Sequence, residues 1–146
     1  MQRKRININS FSIFTFNSIK LDKIIINTPD APAPIGPYNQ SVLAGNLFFI
    51  SGQICIDPAT GDVIKGNIKE ETRQVMKNLE VILNEAGMQF NRVVKTTIFL
   101  TDMKQFAEVN DVYGSFFNGD FPARETVAVS GLPKGVNVEI SMIAMK

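Results

Sequence analysis

The first candidate for a catalytic residue is a glutamate inside a predicted strand. Residues 136–141 read Val-Asn-Val-Glu-Ile-Ser, and strand alternation places Asn137, Glu139 and Ser141 on one face. If that face is covered, the loss of water raises the pKa of Glu139 and suits it to general acid or base work. A solvent-exposed strand glutamate explains the same pattern, and the residues alone favour it.

An arginine is the second candidate. Arg124 follows Phe121-Pro122-Ala123 and opens a predicted strand at residues 125–129, which is a rigid placement for its guanidinium. A guanidinium held in this way can bind a carboxylate through two parallel hydrogen bonds. A solvated arginine is the simpler interpretation, because a single arginine carries little specificity.

Four further residues are candidates for lining a pocket. Tyr38 ends the segment Ile-Gly-Pro-Tyr, and Ser51 and Gly52 stand near the end of a predicted strand. Tyr38 could be an aromatic anchor. Ser51 and Gly52 could equally be no more than the polar end of a strand. Asn110 lies beside the apolar stripe of a predicted helix, where a buried amide needs partners, although a surface position explains it too.

Several kinds of site are excluded by composition. The chain contains no histidine, so Ser-His-Asp and Cys-His triads are ruled out, and acid or base work falls to carboxylate, backbone or water. One cysteine, Cys55, cannot form an internal disulfide, and no Cys/His cluster is available for zinc. The glycine-containing loops lack the spacing that cradles phosphates. We therefore expect neither a metal nor a cofactor.

The charge of the chain is uneven along its length. Arg3, Lys4, Arg5 and Lys20 occur in a segment without acids, whereas residues 21–146 carry 11 basic and 14 acidic side chains. The mildly acidic balance of residues 21–146 argues against nucleic-acid binding, because affinity for phosphates comes from clustered Lys and Arg. We expect no nucleic-acid partner.

Residues 1–22 are predicted to be a basic, poorly ordered extension, with the folded domain at residues 23–146. The extension has no continuous apolar run, so we expect a cytoplasmic location and no secretion. A mitochondrial presequence is the alternative, since Arg, Ser and apolar residues mix there without acids. No segment has the ~18 to 20 continuous apolar residues that a membrane span needs, which predicts a soluble protein.

The order of elements predicts an α+β domain. Strands are expected at residues 23–27, 41–43, 47–54, 93–101, 125–129 and 136–145, with helices at 68–86 and from Asp102 to about Asn118. Asp102 and Gln105 resemble a capping box for the second helix. Both helices are crossovers between strands and should cover one face of a mixed sheet.

The uncovered face of that sheet predicts an oligomer. Leu47, Phe49 and Phe99 alternate with apolar neighbours, so apolar side chains are expected on both faces, with Val93 on the face of Phe99 and Gln53 on the face of Phe49. A monomer would then expose a large apolar patch, which soluble monomers rarely do. We expect the bare face to be buried between subunits.

Six short motifs together resemble the Rid (YjgF-like) family, in the family's order and spacing. The resemblance covers residues 23–146 and rests on Ile-Gly-Pro-Tyr at 35–38, Ser-Gly-Gln at 51–53, Val-Lys-Thr-Thr at 94–97, Phe-Ala-Glu-Val-Asn at 106–110, Phe-Pro-Ala-Arg at 121–124 and Val-Glu-Ile at 138–140. It implies a bacillary chorismate-mutase-like fold. It also implies a homotrimer with a central barrel and clefts between neighbouring subunits.

The resemblance further implies hydrolytic deamination of imines and enamines, such as 2-aminoacrylate, 2-iminopropanoate and 2-iminobutanoate, to 2-oxo acids and ammonia. Arg124 would hold the substrate carboxylate, and Glu139 would position the attacking water or protonate through it. The pocket would be lined by the motif residues Tyr38, Ser51, Gly52 and Asn110.

The chain departs from the commonest family pattern at two positions. Thr126 replaces a frequent cysteine two residues after the arginine, with its backbone carbonyl still able to hold a water, and Ser141 replaces a second glutamate. Substrate preference therefore stays open. Two other functions also stay open, namely a non-catalytic small-molecule-binding regulatory trimer and an RNA-directed endoribonuclease or translation inhibitor.

Overall fold

Six strands and two helices make up the domain. The computed structural model describes residues 22–64 and 66–146, so the expectations for residues 1–21 lie outside the described residues. The elements are β1 (Lys23–Ile26), β2 (Ser41–Ala44), β3 (Leu47–Gln53), α1 (Ile68–Glu85), β4 (Val93–Leu100), α2 (Phe106–Gly114), β5 (Ala123–Ala128) and β6 (Val138–Met145). Among the described residues, no helix is both long and apolar enough to cross a bilayer.

The strands form one mixed sheet in the order β1-β2-β3-β6-β4-β5. All neighbouring strands are antiparallel except β4 and β5, which are parallel and joined through α2. The α+β architecture predicted from the sequence is confirmed.

Helix α1 has a defined beginning and end. Asn67 and Glu70 form a capping box, in which the Asn67 side chain accepts from the Glu70 N–H and the Glu70 carboxylate accepts from the Asn67 N–H. These bonds satisfy backbone donors that the first helical turn leaves free. Gly87 follows the helix at φ +70°, a conformation that glycine adopts without strain and that stops a helix.

Both the apolar stripe of α1 and one sheet face are buried in a single core. The central strands contribute side chains that are almost fully excluded from water, and α1 and α2 supply the other side of the core. Its largest fully buried members are Phe48, Ile98, Leu100, Val138, Ile140 and Met142 from the sheet, with Val75, Met76, Leu79, Ile82, Leu83 and Val109 from the helices.

The opposite sheet face is bare and apolar, as predicted. Five of its large side chains are between 37% and 50% exposed, namely Ile25, Leu47, Phe49, Val127 and Met145. They lie on β1, β3, β6 and β5, so exposed apolar side chains are spread across most of this face. A patch of this kind usually marks a contact with another protein surface.

Two predicted face assignments are wrong because the strands contain bulges. The register shifts between Ile50 and Gln53, where β3 has one residue more than β6, and Gln53 therefore pairs with Ile140 on the core side. A second shift puts Val93 opposite Ala144, also on the core side. A bulge inverts the alternation beyond it, and no periodicity argument that assumes a regular strand can anticipate it.

The second helix is shorter than predicted. Asp102 caps a 3-10 turn at Met103–Gln105 by accepting from the Lys104 N–H, and α2 begins only after that turn. The Gln105 side-chain oxygen is buried and accepts no hydrogen bond from any residue that the structure describes, so the predicted capping box does not form. Helix α2 ends at Gly114 instead of continuing to Asn118.

We predict that Asn67→Ala lowers the free energy of unfolding by about 1 kcal/mol, because it removes the helix cap. Urea titration at a fixed protein concentration measures this. Asn91→Ala is the control, since Asn91 is exposed and caps no helix. Equal losses in the two variants would contradict a stabilising cap.

Candidate functional site

The structure divides the predicted site residues between two separate cavities. A cavity of about 310 Å³ is lined by Tyr38, Ser51, Gly52 and Glu139, which we call the Glu139 half-site. A second cavity, of about 400 Å³, is lined by Asn110, Tyr113 and Arg124, which we call the Arg124 half-site. The predicted pocket lies in a cleft between neighbouring subunits, and within one chain these residues form two half-sites, so the shared pocket stays a prediction.

Glu139 is a lining residue of the half-site that bears its name. Glu139 belongs to β6, pairs with Phe99 of β4, and lies on the bare face of the sheet. Partial burial removes water from the carboxylate and raises its pKa above the ordinary range. No Lys or Arg of the described residues forms an ion pair with it. The result is a carboxyl group poised for proton transfer.

Gly52 makes room for that carboxylate. A β-carbon at position 52 would overlap the carboxylate of Glu139 and would lie 2.8 Å from its Cδ. Real β-carbons essentially never approach another atom that closely, so any larger residue at this position would push Glu139 aside. The glycine acts through its missing side chain.

Ser51 ties the half-site to the preceding loop. Its hydroxyl donates to the Asn39 carbonyl at 2.7 Å, and its N–H donates to the Gln40 carbonyl at 3.0 Å. The hydroxyl proton is thus already engaged, and Ser51 Oγ can only accept a hydrogen bond from a ligand. The β3 bulge lies at Ser51-Gly52, consistent with the frequent placement of bulges beside functional sites.

Tyr38 stands at the outer edge of the same cavity. Its hydroxyl accepts from the Ile35 N–H at 3.2 Å, and its own N–H donates to the Gly36 carbonyl at 2.9 Å. The side chain remains exposed. This tight turn holds the ring where a ligand or a second protein chain can contact it.

Arg124 lies on the core side of the sheet, at its outer strand. Its guanidinium carbon is 5.0 Å from the ring centre of Tyr113 and 5.8 Å from that of Phe106. Such stacking orients a guanidinium without consuming its N–H donors. Among the described residues no carboxylate forms an ion pair with it. The arginine is oriented and uncompensated, as an anion-binding group should be.

Asn110 and Thr126 lie on the same side as Arg124. Asn110 is partly buried and lines the cavity from α2, one turn before Tyr113. Thr126 is two residues beyond Arg124 on β5, and its hydroxyl is buried without a hydrogen-bond partner among the described residues. Buried polar groups normally have partners, so this hydroxyl has unused hydrogen-bonding capacity next to Arg124.

Arg124 and Glu139 cannot meet within one chain. In register, Glu139 is level with Phe99 and Val127, whereas Arg124 is level with Thr96, three residues further along. With strands about 4.8 Å apart and a rise of about 3.3 Å per residue, their Cα atoms are about 14 Å apart. Their side chains also leave opposite faces of the sheet. Only a second molecule could bring the two groups together.

Two other polar residues serve the fold. Asn137 precedes β6, so the prediction that it shares a face with Glu139 is wrong, and its side chain instead donates to Glu71 at 2.7 Å. Burial and the nearby Glu71 charge raise the pKa of the Cys55 thiol to about 11, which leaves it unreactive.

No cluster of three His, Cys, Asp or Glu residues suited to a metal occurs in residues 22–64 and 66–146.

Tyr113 is a site residue that the sequence did not reveal. Its position in the apolar stripe of α2 predicts a core residue, and it is indeed buried. Its hydroxyl donates to Thr96 Oγ1 at 3.1 Å, which fixes the ring beneath Arg124. The only hint in the sequence is its spacing of three residues from Asn110, which places both on one side of the helix.

Several proteins, some with solved structures, are similar in sequence to this chain over a length close to that of the whole described region. The mouse 2-iminobutanoate/2-iminopropanoate deaminase is 47% identical over 122 residues, covering 84% of this chain and 90% of that protein. A Yersinia pestis protein of the conserved Rid family, YyfA, is 47% identical with a TM-score of 0.84, covering 86% of this chain and all of that one. TdcF from E. coli, crystallised with bound serine, is 39% identical with a TM-score of 0.81, covering 84% of this chain and 98% of that one.

The family model described as Endoribonuclease L-PSP matches residues 28–146. That match includes both half-sites, both helices and every strand except β1. The mouse and Yersinia pestis relatives are each 47% identical and cover 84% and 86% of this chain. The chain therefore belongs to the Rid (YjgF-like) family.

Proposed function

We propose that this protein hydrolyses reactive imines and enamines derived from amino acids, such as 2-iminopropanoate and 2-iminobutanoate, to 2-oxo acids and ammonia. The observation that carries the proposal is the pair of incomplete half-sites, one with an uncompensated guanidinium and one with an uncompensated carboxyl group. The name of the mouse relative supports this choice of substrates.

The working unit in this proposal is a homotrimer in which the Arg124 half-site of one copy faces the Glu139 half-site of the next. Two observations support a second copy. The half-sites lie on opposite sides of the sheet, and the bare face exposes the five large apolar side chains described above. Covering that face removes the apolar surface from water and completes three identical sites in a closed ring.

The charges of the substrate are complementary to those of the combined site. The carboxylate of an imino acid accepts two hydrogen bonds from the Arg124 guanidinium, and its protonated imine nitrogen is attracted to Glu139. Anchoring at both ends holds the electrophilic carbon in one orientation, so that water attacks without a further loss of freedom. Ser51 Oγ lines the Glu139 half-site and can accept a hydrogen bond from substrate or water.

The reaction needs one water and no cofactor. Water adds to the C=N carbon as its proton passes to Glu139, giving a tetrahedral amino alcohol. Glu139 then returns that proton to the nitrogen, the C–N bond breaks with its electron pair going to nitrogen, and the hydroxyl oxygen gives its proton to Glu139 as it becomes the carbonyl. Glu139 passes this proton to the departing ammonia, so a 2-oxo acid and ammonium leave and the carboxylate is restored. An enamine first gains a proton from the solvent at its terminal carbon and so becomes the protonated imine.

The shared site can be tested by complementation. We expect Arg124→Ala to be inactive and Glu139→Gln to keep only a trace of activity, but mixed trimers of the two to recover about one third of wild-type activity, because every mixed ring of three contains one interface with both native residues. Coexpression with two affinity tags and purification on both isolates mixed rings. Ammonia release from an enzymatically generated imine is the measurement.

The matched control pairs Arg124→Ala with the double variant Arg124→Ala/Glu139→Gln. This mixture also forms mixed rings but contains no interface with both native residues, so it should stay at the spontaneous rate. Background activity in the first mixture as well, with folded trimers in both, would contradict a site shared between chains.

Gly52→Ala should lower kcat/KM by about 100-fold, because displacement of a reacting group by roughly 1 Å costs that much. The reason is the overlap between the new β-carbon and the Glu139 carboxylate. Gly131→Ala is the control, since a β-carbon there contacts nothing within 4 Å. Full activity in Gly52→Ala would mean that the observed position of Glu139 is not the reactive one.

The pH dependence should identify Glu139 as the base. Because only the ionised carboxylate accepts a proton from water, kcat/KM should fall about tenfold per pH unit below the Glu139 pKa, with a midpoint above the ordinary value of about 4.3. The residual activity of Glu139→Gln should lack this acid limb. An unchanged acid limb in that variant would assign the titration to another group.

A further inference from the structure

One wall of the Glu139 half-site is a loop with few hydrogen-bond donors of its own. Residues 27–40, which we call the proline loop, include Pro29, Pro32, Pro34 and Pro37. Proline has no N–H, so many carbonyls of this loop cannot be satisfied by neighbouring backbone donors. The loop nevertheless contributes Pro32, Ala33, Ile35 and Tyr38 to the cavity lining.

The side chain of Gln40 supplies the missing hydrogen bonds. Its amide nitrogen lies 3.0 Å from the carbonyl of Thr28, 3.2 Å from that of Ala31 and 2.9 Å from that of Pro32. Its amide oxygen accepts from the Thr28 N–H at 2.7 Å. Gln40 is only 2% exposed, so these bonds form without competition from water.

The backbone of Gln40 closes the loop at its base. Its N–H donates to Asn27 Oδ1 at 3.1 Å, and its carbonyl accepts from the Ser51 N–H at 3.0 Å. One residue therefore joins both ends of the proline loop to each other and to the β3 bulge that holds Gly52 against Glu139. A loop with joined ends and an internal side chain filling it behaves as a compact unit.

We propose that Gln40 is the positioning residue that sets the shape of the substrate cavity, by holding the proline loop against the Glu139 half-site. This rests on the proposed function. Gln40 lines the cavity beside Pro32, Ile35 and Tyr38, and its side chain holds the loop through the carbonyls of Thr28, Ala31 and Pro32 without a hydrogen bond to Arg124 or Glu139. Its loss should therefore weaken substrate binding while the proton-transfer chemistry continues.

Steady-state kinetics separate this role from a purely structural one. Gln40→Met keeps the length of the side chain and removes every side-chain hydrogen bond, while the backbone bonds to Asn27 and Ser51 remain. We expect KM to rise roughly tenfold, the equivalent of about one to two lost hydrogen bonds, with kcat within about twofold of wild type. A residue that only stabilises the fold would instead reduce the active fraction, lowering apparent kcat at an unchanged KM. That pattern, or an unchanged KM, overturns the proposal.

Gln89→Met is the matched control, because Gln89 is exposed and its side chain caps no helix. It should leave both KM and kcat at wild-type values. If Gln40→Met does not fold, Gln40→Asn takes its place, since it keeps the amide but is one methylene too short to reach all its partners. The same increase in KM is expected, and its absence would be equally decisive against the proposal.

A second measurement does not depend on catalysis. The chain contains two tyrosines and no tryptophan, so in a Tyr113→Phe background the intrinsic fluorescence comes from Tyr38 alone. If Gln40 holds the loop, adding Gln40→Met to that background should increase acrylamide quenching of Tyr38 about twofold, as expected for a locally loosened segment. Unchanged quenching would show that the loop keeps its position without Gln40.

The two measurements also separate failure of this inference from failure of the proposed function. A wild-type protein without imine hydrolysis rejects the proposed function, while the fluorescence experiment still decides whether Gln40 holds the proline loop. Normal hydrolysis with unchanged KM and quenching in Gln40→Met rejects the positioning role alone.

Discussion

Side-chain alternation in one sheet is the constraint on which the site depends. Successive residues of a strand leave opposite faces, and register fixes which residues of neighbouring strands share a face. Arg124 follows Thr96 to the core side, and Glu139 follows Phe99 to the bare side. No rotamer change crosses a packed sheet. A protein that uses both groups on one substrate must therefore use two molecules, which makes assembly a condition of activity.

The same constraint gives the bare apolar face a role in chemistry. Ile25, Phe49 and Val127 would be costly to leave exposed in a monomer and favourable to bury in an oligomer. Burial of this face would bring a neighbouring molecule to the side of the sheet on which Glu139 lies. Apolar contacts of this kind give association energy, whereas the position of each half-site at the margin of the sheet leaves room for a ligand between copies.

Much of this arrangement could be predicted from the sequence, for physical reasons. The apolar stripe of α1 and the β-branched run of β4 have strong periodicity, so their type and order were correct. The bulges were not predictable, because one extra residue changes no composition and inverts every later face assignment, as at Gln53 and Val93. The motif residues of the site were identifiable through resemblance to a family. Tyr113 and Gln40 were not identified, since their roles arise from contacts with residues distant in the chain.

Each of the two charged groups lies far from the other within one chain. A guanidinium and a carboxyl group in contact would form an ion pair and neutralise each other, so the proposed site must keep them far enough apart for a substrate to lie between them. Here Arg124 rests on aromatic rings and Glu139 lies against Gly52, and neither has an ionic partner among the described residues. Burial raises the pKa of Glu139 because no cation offsets the lost water. A zwitterionic imino acid placed between them would supply both missing charges, its carboxylate to one copy and its iminium to the next.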